Sequence, residues 1–567
     1  MFQNNLSLAS RIKNSLTTTG DKKITFLNRG EVKNNETLSG VDAHEKILKI
    51  ANFIVGKMKV HKPVSSPVIV AMSSGLNTIL TINSCIYAGV IFIPIQVSKR
   101  EGSYIKAKKL FQNCGVKEVI TDHFGKEFVD VLKKEYDLSQ DVHCILIDDN
   151  ELDKIYDASE ELLLGFKKPL SEYCLIQHTS GSTSDPKAIV LTGQNILNNQ
   201  VKIKKQWGLS NQSVFCSWLP HHHDMGLFSI LYSILNSKHL IVTSPLAFVQ
   251  KPIRWLKIIT HYKVNITGGP PFAFRLCIEY FKKNSDMSID LSSLTVLFCG
   301  AESVPKILFK DFYNTFKRFG FKSSALFNTY GMAEVVSYIA GSSKLEPHED
   351  SFSESLYVAP VFLSKEAYPT VKIVNPETSN LVAEGIEGEI WVQNDSLAIG
   401  YLESLPDGTF SINRKGFDGK LPNKKGEWFK TQDIGIIKGE NLYVLGRTTD
   451  IIINNGVNFS ASEIELIASR VHATLNPFGA AVFQKSVKDK ILITLLIEFS
   501  ESKITLESLE EIKNSIRRTI LEYFSIHIDH IYLLKRGALP RTDSGKIKRS
   551  FIANSFNKML YSNKILL

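Results

Sequence analysis

Cysteine is scarce in this sequence, and its distribution excludes a disulfide framework. The 7 cysteines include no CxxC pair, and none lies in the 268 residues after Cys299. An odd number of scattered thiols is typical of a reducing compartment, so we expect a cytoplasmic protein with buried thiols. The opening residues, MFQNNLSLASRIKNSL, also lack the apolar core and small-residue cleavage site of a signal peptide.

Charge of either sign is missing from Pro63 to Ser98. A membrane-spanning helix needs about 20 predominantly apolar residues, whereas this segment carries serine, asparagine, threonine and glycine throughout. We therefore predict a buried strand, an uncharged helix and a second buried strand, and no transmembrane segment.

A strong excess of one charge is missing as well. The net charge of +10 over 567 residues is mild, and no basic–aromatic interleaving is present, so the composition predicts no nucleic-acid partner. One stretch is basic: Lys535 to Lys564 holds eight basic residues and a single acid, Asp543. This stretch is either a solvated surface or a site for phosphates or an acidic partner.

The order of hydrophobic runs predicts the fold class. Strand-like runs such as PVIVAM, VIFIPI and LTVLFCGA alternate with helix-length segments over the first 350 or so residues, which indicates layered α/β sheets with mostly parallel strands. After about Val371, short runs joined by turns predict a small barrel-like β unit. A compact α+β domain follows. We place the boundary so that 1–447 is a large domain and 448–567 a small one.

Four segments carry residues suited to nucleotide chemistry. In HTSGSTSDPKAIV, hydroxyl side chains and glycine precede Lys187, a composition that suits polyphosphate. The Walker A spacing is absent, and a polar surface loop is the alternative. In NTYGMAE, an aromatic ring could lie against a base and Glu334 could ligate a divalent cation, although a simple turn would also explain it.

The remaining two segments lie further along the chain. Asp433 and Arg447 stand 14 residues apart across a predicted hairpin, where they could hold a ribose or form a plain salt bridge. In LPRTDSGKIKRS, Lys546 follows a Ser-Gly turn, and a charged helix start is the alternative.

The order and spacing of these segments resemble the adenylate-forming superfamily, which includes acyl-CoA synthetases, luciferases and peptide-synthetase adenylation domains. The resemblance runs from about Phe26 to Arg549. TSGSTSDPK resembles the family's phosphate loop, CGAES and NTYGMAE its adenine segments, and KTQDIG its ribose motif. GRTTDIIINNGVNFSASEIE resembles the hinge motif, and PRTDSGKIKR resembles the motif of the C-terminal catalytic lysine.

This resemblance implies ATP and Mg²⁺ as cofactors and assigns roles to residues. Lys546 would bridge the acyl carboxylate and the α-phosphate, Lys187 would hold the outer phosphates, and Glu334 would ligate Mg²⁺. The small, mobile domain would turn about Thr449 and Asp450 between two half-reactions. The other implied nucleotide-binding residues are Thr179, Ser180, Gly181, Ser182, Thr183, Gly300, Ala301, Glu302, Asn328, Thr329, Tyr330, Gly331, Met332, Asp433 and Arg447.

The stretch SWLPHHHDMGL is similar to the pocket motif of fatty acyl-AMP ligases, which tends to read LP-x-x-HDMG, and Ala333 also fits that branch. Three consecutive histidines rarely converge on one ion, so we expect a polar loop at His221 and His222 rather than a metal centre. The acyl pocket implied by the resemblance comprises Trp218, His223, Asp224, Met225, Gly226, Gly268 and Gly269.

The acceptor of the acyl group is also suggested by the resemblance. From Gly400 to Trp428 the chain runs 28 residues, longer than expected of an acyl-CoA synthetase, and fatty acyl-AMP ligases carry an insertion near here that disfavours coenzyme A. The expected partners are a carboxylic acid and an acyl carrier protein acting in trans. The alternatives are an acyl-CoA synthetase, an amino-acid-activating enzyme in which Asp224 would hold the α-amino group, and a nucleotide-binding pseudoenzyme.

The sequence departs from the family's pattern at four positions. Ser184 and Ala188 stand where the phosphate loop often has glycine, and Gln432 replaces the usual glycine of the ribose motif. Thr449 occupies a hinge position where relatives usually carry aspartate or lysine. These departures bear on loop strain and domain rotation.

Overall fold

The structure is a computed structural model. It describes residues 6–18, 20–58, 67–155, 158–178, 187–284, 288–341, 358–405, 410–422, 424–454, 457–487, 490–499, 506–541 and 547–556.

The first large sheet has seven strands and is parallel except at one edge, where β2 runs against β1. Apart from the polar, exposed edge strand β2, its strands are short, mostly apolar and buried, as expected of strands covered on both faces. In spatial order they are β13 (Leu326–Asn328), β12 (Val296–Cys299), β11 (Ile266–Gly269), β9 (Val214–Ser217), β10 (His239–Thr243), β1 (Lys23–Leu27) and β2 (Asn35–Ser39).

The second large sheet has eight strands, with a parallel part and an antiparallel part. The predicted strand, uncharged helix and strand between Pro63 and Ser98 are confirmed as β3, a helix at Leu76–Ala88 and β4. The spatial order is β18 (Phe410–Asn413), β17 (Gly400–Ser404), β8 (Ala188–Thr192), β7 (Tyr173–His178), β4 (Phe92–Pro94), β3 (Val68–Ala71), β5 (Glu118–Thr121) and β6 (His143–Leu146).

Helices alternate with these strands, which confirms the predicted α/β class. Two of them, α3 and α8, are buried along nearly their whole length and share one hydrophobic core with strands of both sheets. The helices are α1 (Leu8–Thr17), α2 (Gly40–Lys57), α3 (Leu76–Ala88), α4 (Glu101–Asn113), α5 (His123–Glu135), α6 (Asp149–Leu152), α7 (Gly193–Trp207), α8 (Asp224–Asn236), α9 (Pro245–Gln250), α10 (Ile253–Tyr262), α11 (Pro271–Lys283) and α12 (Lys306–Phe316).

No helix among the described ranges is long and apolar enough to cross a membrane.

A third, five-stranded sheet is antiparallel throughout and corresponds to the predicted β unit. Its long hairpin places Asp433 directly opposite Arg447. The strands in spatial order are β14 (Val361–Phe362), β20 (Asn441–Arg447), β19 (Phe429–Lys438), β16 (Gly388–Val392) and β15 (Val371–Val374).

The residues after Arg447 build a separate α+β unit with its own hydrophobic core. A short 3-10 turn at Thr448–Asp450 leads into it. Its elements are β21 (Ile451–Asn454), β22 (Val457–Ser460), α13 (Ala461–Arg470), β23 (Leu475–Val487), β24 (Lys490–Phe499), α14 (Leu506–Phe524), β25 (His530–Leu534) and α15 (Arg549–Ser555).

Candidate active site

The two adenine segments meet at one edge of the seven-stranded sheet. They follow the neighbouring parallel strands β12 and β13, and the carboxyl ends of such strands are the usual place for a ligand crevice. Thr329 ties the segments together, because its backbone N–H and its hydroxyl both donate to the carbonyl of Cys299, at 2.8 and 3.1 Å. A Cβ on Gly300 would lie 2.5 Å from Thr329 Oγ1, so the close approach requires glycine.

Tyr401 links the two charged residues expected at the phosphates. Its hydroxyl donates to Glu334 Oε1 at 3.0 Å, and Lys187 Nζ lies 4.7 Å from the centre of its ring. Burial raises the pKa of Tyr401, and the Glu334 carboxylate adds to the rise, so this tyrosine is a neutral donor. The sequence reasoning missed Tyr401, because it lies on β17 in the long segment that was interpreted only as an insertion.

A second group joins Asp433 and Arg447, the residues expected at the ribose, to Tyr330, the aromatic residue expected at the adenine. The Tyr330 hydroxyl donates to Asp433 Oδ2 at 2.8 Å, and Arg447 Nε lies 3.6 Å from Asp433 Oδ1. Tyr330 and Asp433 are buried, whereas the Arg447 side chain is 55% exposed. The hairpin ion pair weighed as an alternative is thus present, but its arginine remains accessible to a phosphate or ribose.

The two groups lie within electrostatic range of each other. Burial raises the pKa of both Tyr330 and Tyr401, and in each case the Arg447 guanidinium opposes the rise. One guanidinium therefore acts on both tyrosines. Residues that are 260 positions apart in the chain, from Lys187 to Arg447, converge on one region.

The other expected nucleotide-binding residues surround this region. Asn328 is buried, and its side-chain N–H donates to the carbonyl of Ala359 at 2.7 Å. Met332 is buried, and a Cβ on Gly331 would lie 1.7 Å from the carbonyl oxygen of Ser337. Ala301 and Glu302 are exposed.

A cavity of about 50 Å³ lies beside the adenine segments. Two of the expected acyl-pocket residues line it, Asp224 and Met225, both in the first turn of α8. Ala301, Thr329, Tyr330 and Gly331 also line it, so the cavity shares its wall with the candidate adenylate site.

The remaining residues of the expected acyl pocket are not among those that line this cavity. Trp218 is buried against Phe248, with ring centres 4.0 Å apart. A Cβ on Gly269 would lie 2.5 Å from the Trp218 ring, and a Cβ on Gly226 would lie 2.1 Å from the Pro220 carbonyl oxygen. Gly268 lies against Phe298, and His223 is the residue that precedes α8.

His221 and His222 lie in a turn before α8, as expected of a loop, but both side chains are buried. Burial lowers the pKa of His221 to about 4, with Asp122 opposing the shift, and lowers that of His222 well below its ordinary value. The side-chain N–H of Gln177 donates to the His222 carbonyl at 2.8 Å, which fixes the loop to β7. Within the described ranges, no group of three or more His, Cys, Asp or Glu residues could hold a metal ion.

The residues present fit the Mg²⁺ implied by the resemblance. Glu334 is half-buried, and its Oε1 accepts a hydrogen bond from the Tyr401 hydroxyl, whose ring also lies close to Lys187. Mg²⁺ in nucleotide sites typically takes one or two carboxylates together with substrate phosphates, and Glu334 supplies one of these.

Several predicted site residues lie outside the described residues: Thr179, Ser180, Gly181, Ser182, Thr183 and Lys546, together with the departure at Ser184. The expected hinge is described in part. Asp450 Oδ2 accepts a hydrogen bond from Arg549 Nη1 at 3.1 Å. Thr449 lies in the 3-10 turn between β20 and β21.

The segment from Gly400 to Trp428 packs as part of the large domain. Its first half, β17 and β18, extends the eight-stranded sheet through β8. Arg414 fixes the next part, donating to the Ile399 carbonyl at 2.7 Å and to Glu427 Oε2 at 2.8 Å. The segment is therefore joined to the large domain at several points.

The departure at Gln432 has a structural cost. Its φ of 61° lies in the left-handed region, which glycine adopts readily and other residues adopt at a penalty. By contrast, Ala188 is the first residue of β8 and lies in ordinary strand pairing with His178.

Comparison with known proteins agrees with this geometry. Residues 13–402 match the model of the family described as AMP-binding enzyme, and residues 449–564 match one described as Disco-interacting protein 2-like, AMP domain. The first match covers more than half of the chain. The protein belongs to the AMP-binding enzyme family.

Two relatives of the chain carry more specific descriptions than the family as a whole. The chain is 28% identical over 560 residues to the medium-chain-fatty-acid–[acyl-carrier-protein] ligase JamA of Moorena producens, covering 93% of this chain and 91% of that one. It is 31% identical over 399 residues to the ligase TtuA of Teredinibacter turnerae, which bears the same description, covering 66% of this chain and 62% of that one.

Solved structures share the fold. A fatty acyl-adenylate ligase from L. pneumophila, in complex with acyl adenylate and pyrophosphate, is 28% identical with a TM-score of 0.67, covering 99% of this chain and 97% of that one. The McyG A-PCP structure, complexed with phenylalanyl-adenylate, has a TM-score of 0.84 at 22% identity, covering 99% and 85%. The second likeness supports the fold alone.

Proposed function

We propose that the protein is a fatty acyl-AMP ligase that loads an acyl carrier protein. In the first half-reaction a fatty-acid carboxylate oxygen attacks the α-phosphorus of ATP, the bond to the β-phosphate oxygen breaks, and pyrophosphate leaves. In the second, the thiol of a carrier's phosphopantetheine attacks the acyl carbon, a thioester forms, and AMP leaves.

The observation that carries this proposal is the convergence of two side-chain groups beside one cavity. Lys187, Tyr401 and Glu334 form a group suited to phosphates, and Tyr330, Asp433 and Arg447 form one suited to a nucleoside. The wall of the cavity contains Tyr330. An acid bound in the cavity and a nucleotide bound at these groups would therefore meet.

Catalysis in this scheme is positioning and charge stabilisation, since phosphoryl and nucleotidyl transfers leave little covalent work for the protein. Lys187 stabilises negative charge on the outer phosphates as pyrophosphate leaves. Asp433 accepts hydrogen bonds from the ribose hydroxyls, with Arg447 beside it. Bound Mg²⁺ would neutralise phosphate charge, and Glu334 would hold it. Lys546 takes its role, at the acyl carboxylate and α-phosphate, from the family resemblance.

The acyl carrier protein is proposed as acceptor for two reasons. Two relatives that cover much of the chain are described as acyl-carrier-protein ligases. The segment from Gly400 to Trp428, which resembles the insertion that disfavours coenzyme A, is also fixed to the large domain by β17, β18 and Arg414.

A mass-spectrometric assay tests both half-reactions. The protein is incubated with ATP, Mg²⁺ and a panel of carboxylic acids that includes amino acids, since Asp224 lines the cavity, and acyl-AMP is measured. Coenzyme A or a phosphopantetheinylated carrier protein is then added. We expect fatty acyl-AMP first and fatty acyl-carrier second. Aminoacyl-AMP alone, or acyl-CoA formed in preference to acyl-carrier, would contradict the proposal.

A matched pair of variants ties the activity to the site. Lys187→Ala should reduce acyl-AMP formation by at least about 100-fold, because it removes a charge-stabilising group from the reacting phosphates. Lys205→Ala is the control, since the side chain of this lysine on α7 is exposed and pairs with Glu366. The control should retain full activity.

A further inference from the structure

The far end of the cavity is closed by aromatic rings. The N-terminal end of α8 places Asp224 at the adenylate side, and Tyr232, which also lines the cavity, lies eight residues further along the helix. Eight residues of α-helix span about 12 Å. The lining therefore extends inward from the candidate adenylate site towards the interior of the domain.

Along β12 the cavity lining also runs inward from the candidate adenylate site. Ala301 lies just beyond its carboxyl end and lines the cavity beside the adenine segment, whereas Phe298 lies within the strand, three residues earlier. Three strand residues span about 10 Å. Phe298 thus lies at the inner end, and Gly268 leaves room for it, because a Cβ there would lie 2.4 Å from the Phe298 ring.

Trp207 covers this inner end. It is the last residue of α7, it is 8% exposed, and it lines the cavity. Its ring stacks on Phe298, with centres 4.6 Å apart and planes at 17°, and meets the edge of Tyr338 at 6.1 Å. Among the described residues the indole Nε1 has no hydrogen-bond partner, so the contacts that fix the side chain there are those of its ring.

We propose that Trp207 sets the chain length of the acid that the enzyme accepts, by ending the acyl pocket. This inference rests on the proposed function. The ring occupies space into which a longer alkyl chain would extend, and Phe298 and Tyr338 keep it from rotating away.

Each additional buried methylene contributes about 0.8 kcal/mol, which corresponds to roughly fourfold in kcat/KM. Removing the ring should therefore shift the preference by a measurable amount for each added carbon. Because Nε1 makes no hydrogen bond within the described part of the chain, replacing the indole by an apolar side chain removes volume without removing a polar contact there.

The test uses the full chain and a series of saturated acids from four to eighteen carbons. Acyl-AMP formation is measured as kcat/KM for the wild type, Trp207→Phe and Trp207→Leu. We expect the optimum to move to longer chains in the order wild type, Phe, Leu, with at least a tenfold gain for the longest acids in Trp207→Leu. Trp207→Phe retains an aromatic stack on Phe298 and serves if the leucine variant does not fold.

The control is Trp428→Leu, the same substitution at another buried tryptophan, which packs with Val374, Trp391 and Leu421 and does not line the cavity. It should lower stability and leave the chain-length profile unchanged. An unchanged profile in an active Trp207 variant would overturn the inference alone. Absence of acyl-AMP with every acid in the wild type would overturn the proposed function, and the inference with it.

Discussion

At the scale of the residue, Tyr401 connects two side chains that the family resemblance assigns to different tasks. Its hydroxyl donates to Glu334, and its ring lies beneath Lys187. A cation close to an aromatic face gains about 0.5–2 kcal/mol, depending on its exposure. One residue therefore orients both the expected phosphate ligand and the expected magnesium ligand.

Replacing Tyr401 by phenylalanine separates these two contributions. The ring under Lys187 remains, whereas Glu334 loses a hydrogen bond worth about 1.5 kcal/mol or more, since its acceptor is charged. We expect ATP–pyrophosphate exchange to fall about tenfold and the Mg²⁺ concentration at half-maximal rate to rise. Tyr443→Phe, on β20 beside Lys306, is the control. Unchanged Mg²⁺ dependence would contradict the role given to Tyr401.

Gln432 carries backbone strain that a single substitution can relieve. Its side chain is exposed and its φ is 61°. Gln432→Gly therefore removes a penalty of about 1–2 kcal/mol for the left-handed backbone conformation. Glycine also increases the conformational freedom of the unfolded chain, which offsets part of this gain. We expect a net gain of about 0.5–1 kcal/mol in the free energy of unfolding, measured by denaturant titration. Gln432→Ala keeps the Cβ and should give no gain. A less stable glycine variant would be the contrary result.

His221 predicts how stability depends on pH. Burial lowers its pKa to about 4 in the folded protein, whereas an unfolded histidine titrates near 6.5. Above that value neither state is protonated. As the pH falls from about 6.5 to about 4, the unfolded state binds a proton that the folded state does not, so the folded state loses roughly 3 kcal/mol.

His221→Gln has no titratable side chain at this position, so it should not lose this stability at low pH. Urea unfolding at several pH values should show the wild type losing roughly 3 kcal/mol more than His221→Gln between about pH 7 and pH 4. His527→Gln, at an exposed position, should follow the wild type. If His221→Gln loses stability in parallel with the wild type, His221 is not the group that titrates.

At the scale of the element, one buried ion pair joins α15 to α13. Arg549 donates to Glu465 through Nε at 2.6 Å and through Nη2 at 2.7 Å. Glu465 Oε1 also accepts the backbone N–H of Val482, and Asp450 accepts from the same guanidinium. Burial lowers the pKa of Arg549, but the carboxylates of Glu465, Asp450 and Glu302 together outweigh it and hold the pKa above its ordinary value. Arg549 and Glu465 thus connect α15, α13, β23 and the hinge residue Asp450.

Breaking this pair should be costly. Removing one partner of a buried ion pair typically costs about 3–5 kcal/mol, because the other charge stays buried. We expect Glu465→Gln to lower the stability of the small domain by about that amount, measured by thermal unfolding and limited proteolysis. Glu463→Gln makes the same change on the same helix, at a carboxyl that has no ion pair within the described ranges, and should cost under about 1 kcal/mol. Equal losses in both variants would contradict the assignment.

Much of this element-level organisation could be predicted from the sequence. Apolar runs such as the one in β12 and the uncharged helix α3 are local signals, and they predicted the α/β layers. Asp433 and Arg447 were predicted as a pair because a hairpin relates them by simple register. The burial of His221 and His222 could not be predicted, since it depends on how their loop packs against distant elements.

Long-range contacts explain the other omissions. Tyr401 reaches Glu334 across 67 residues, and Trp207 meets Phe298 across 91. Neither residue stands out by local spacing, and both acquire their significance only when sheets and helices pack. Site residues within a motif were therefore predictable, whereas residues that support them from other elements were not.

At the scale of the whole molecule, an ion pair bridges the small domain and the large one. Arg470 Nη2, at the end of α13, lies 3.0 Å from Asp311 Oδ2 on α12. The Glu302 carboxylate, in an adenine segment, also acts on Arg549, which follows Lys546 by three positions. This arrangement places Arg549, at the start of α15, within electrostatic range of an adenine segment.

Rotation of the small domain, as proposed for the second half-reaction, would have to break the Arg470–Asp311 pair. Both side chains are about 40% exposed, and an ion pair at such a position contributes about 0.2–1 kcal/mol. Asp311→Arg replaces attraction by repulsion and disfavours the present arrangement. Since 1 kcal/mol is a factor of about five, we expect adenylation to slow by up to about fivefold and acyl transfer from preformed acyl-AMP to keep its rate.

The charge swap supplies the control for this last prediction. Asp311→Arg combined with Arg470→Asp restores the pair with its signs exchanged, so adenylation should recover, whereas the two single variants should both be slow. The difference between single and double variants should shrink at high ionic strength, because exposed charges are screened over about 10 Å at 0.1 M salt. Equal slowing of both half-reactions, or no recovery in the double variant, would show that the pair does not favour the adenylating arrangement.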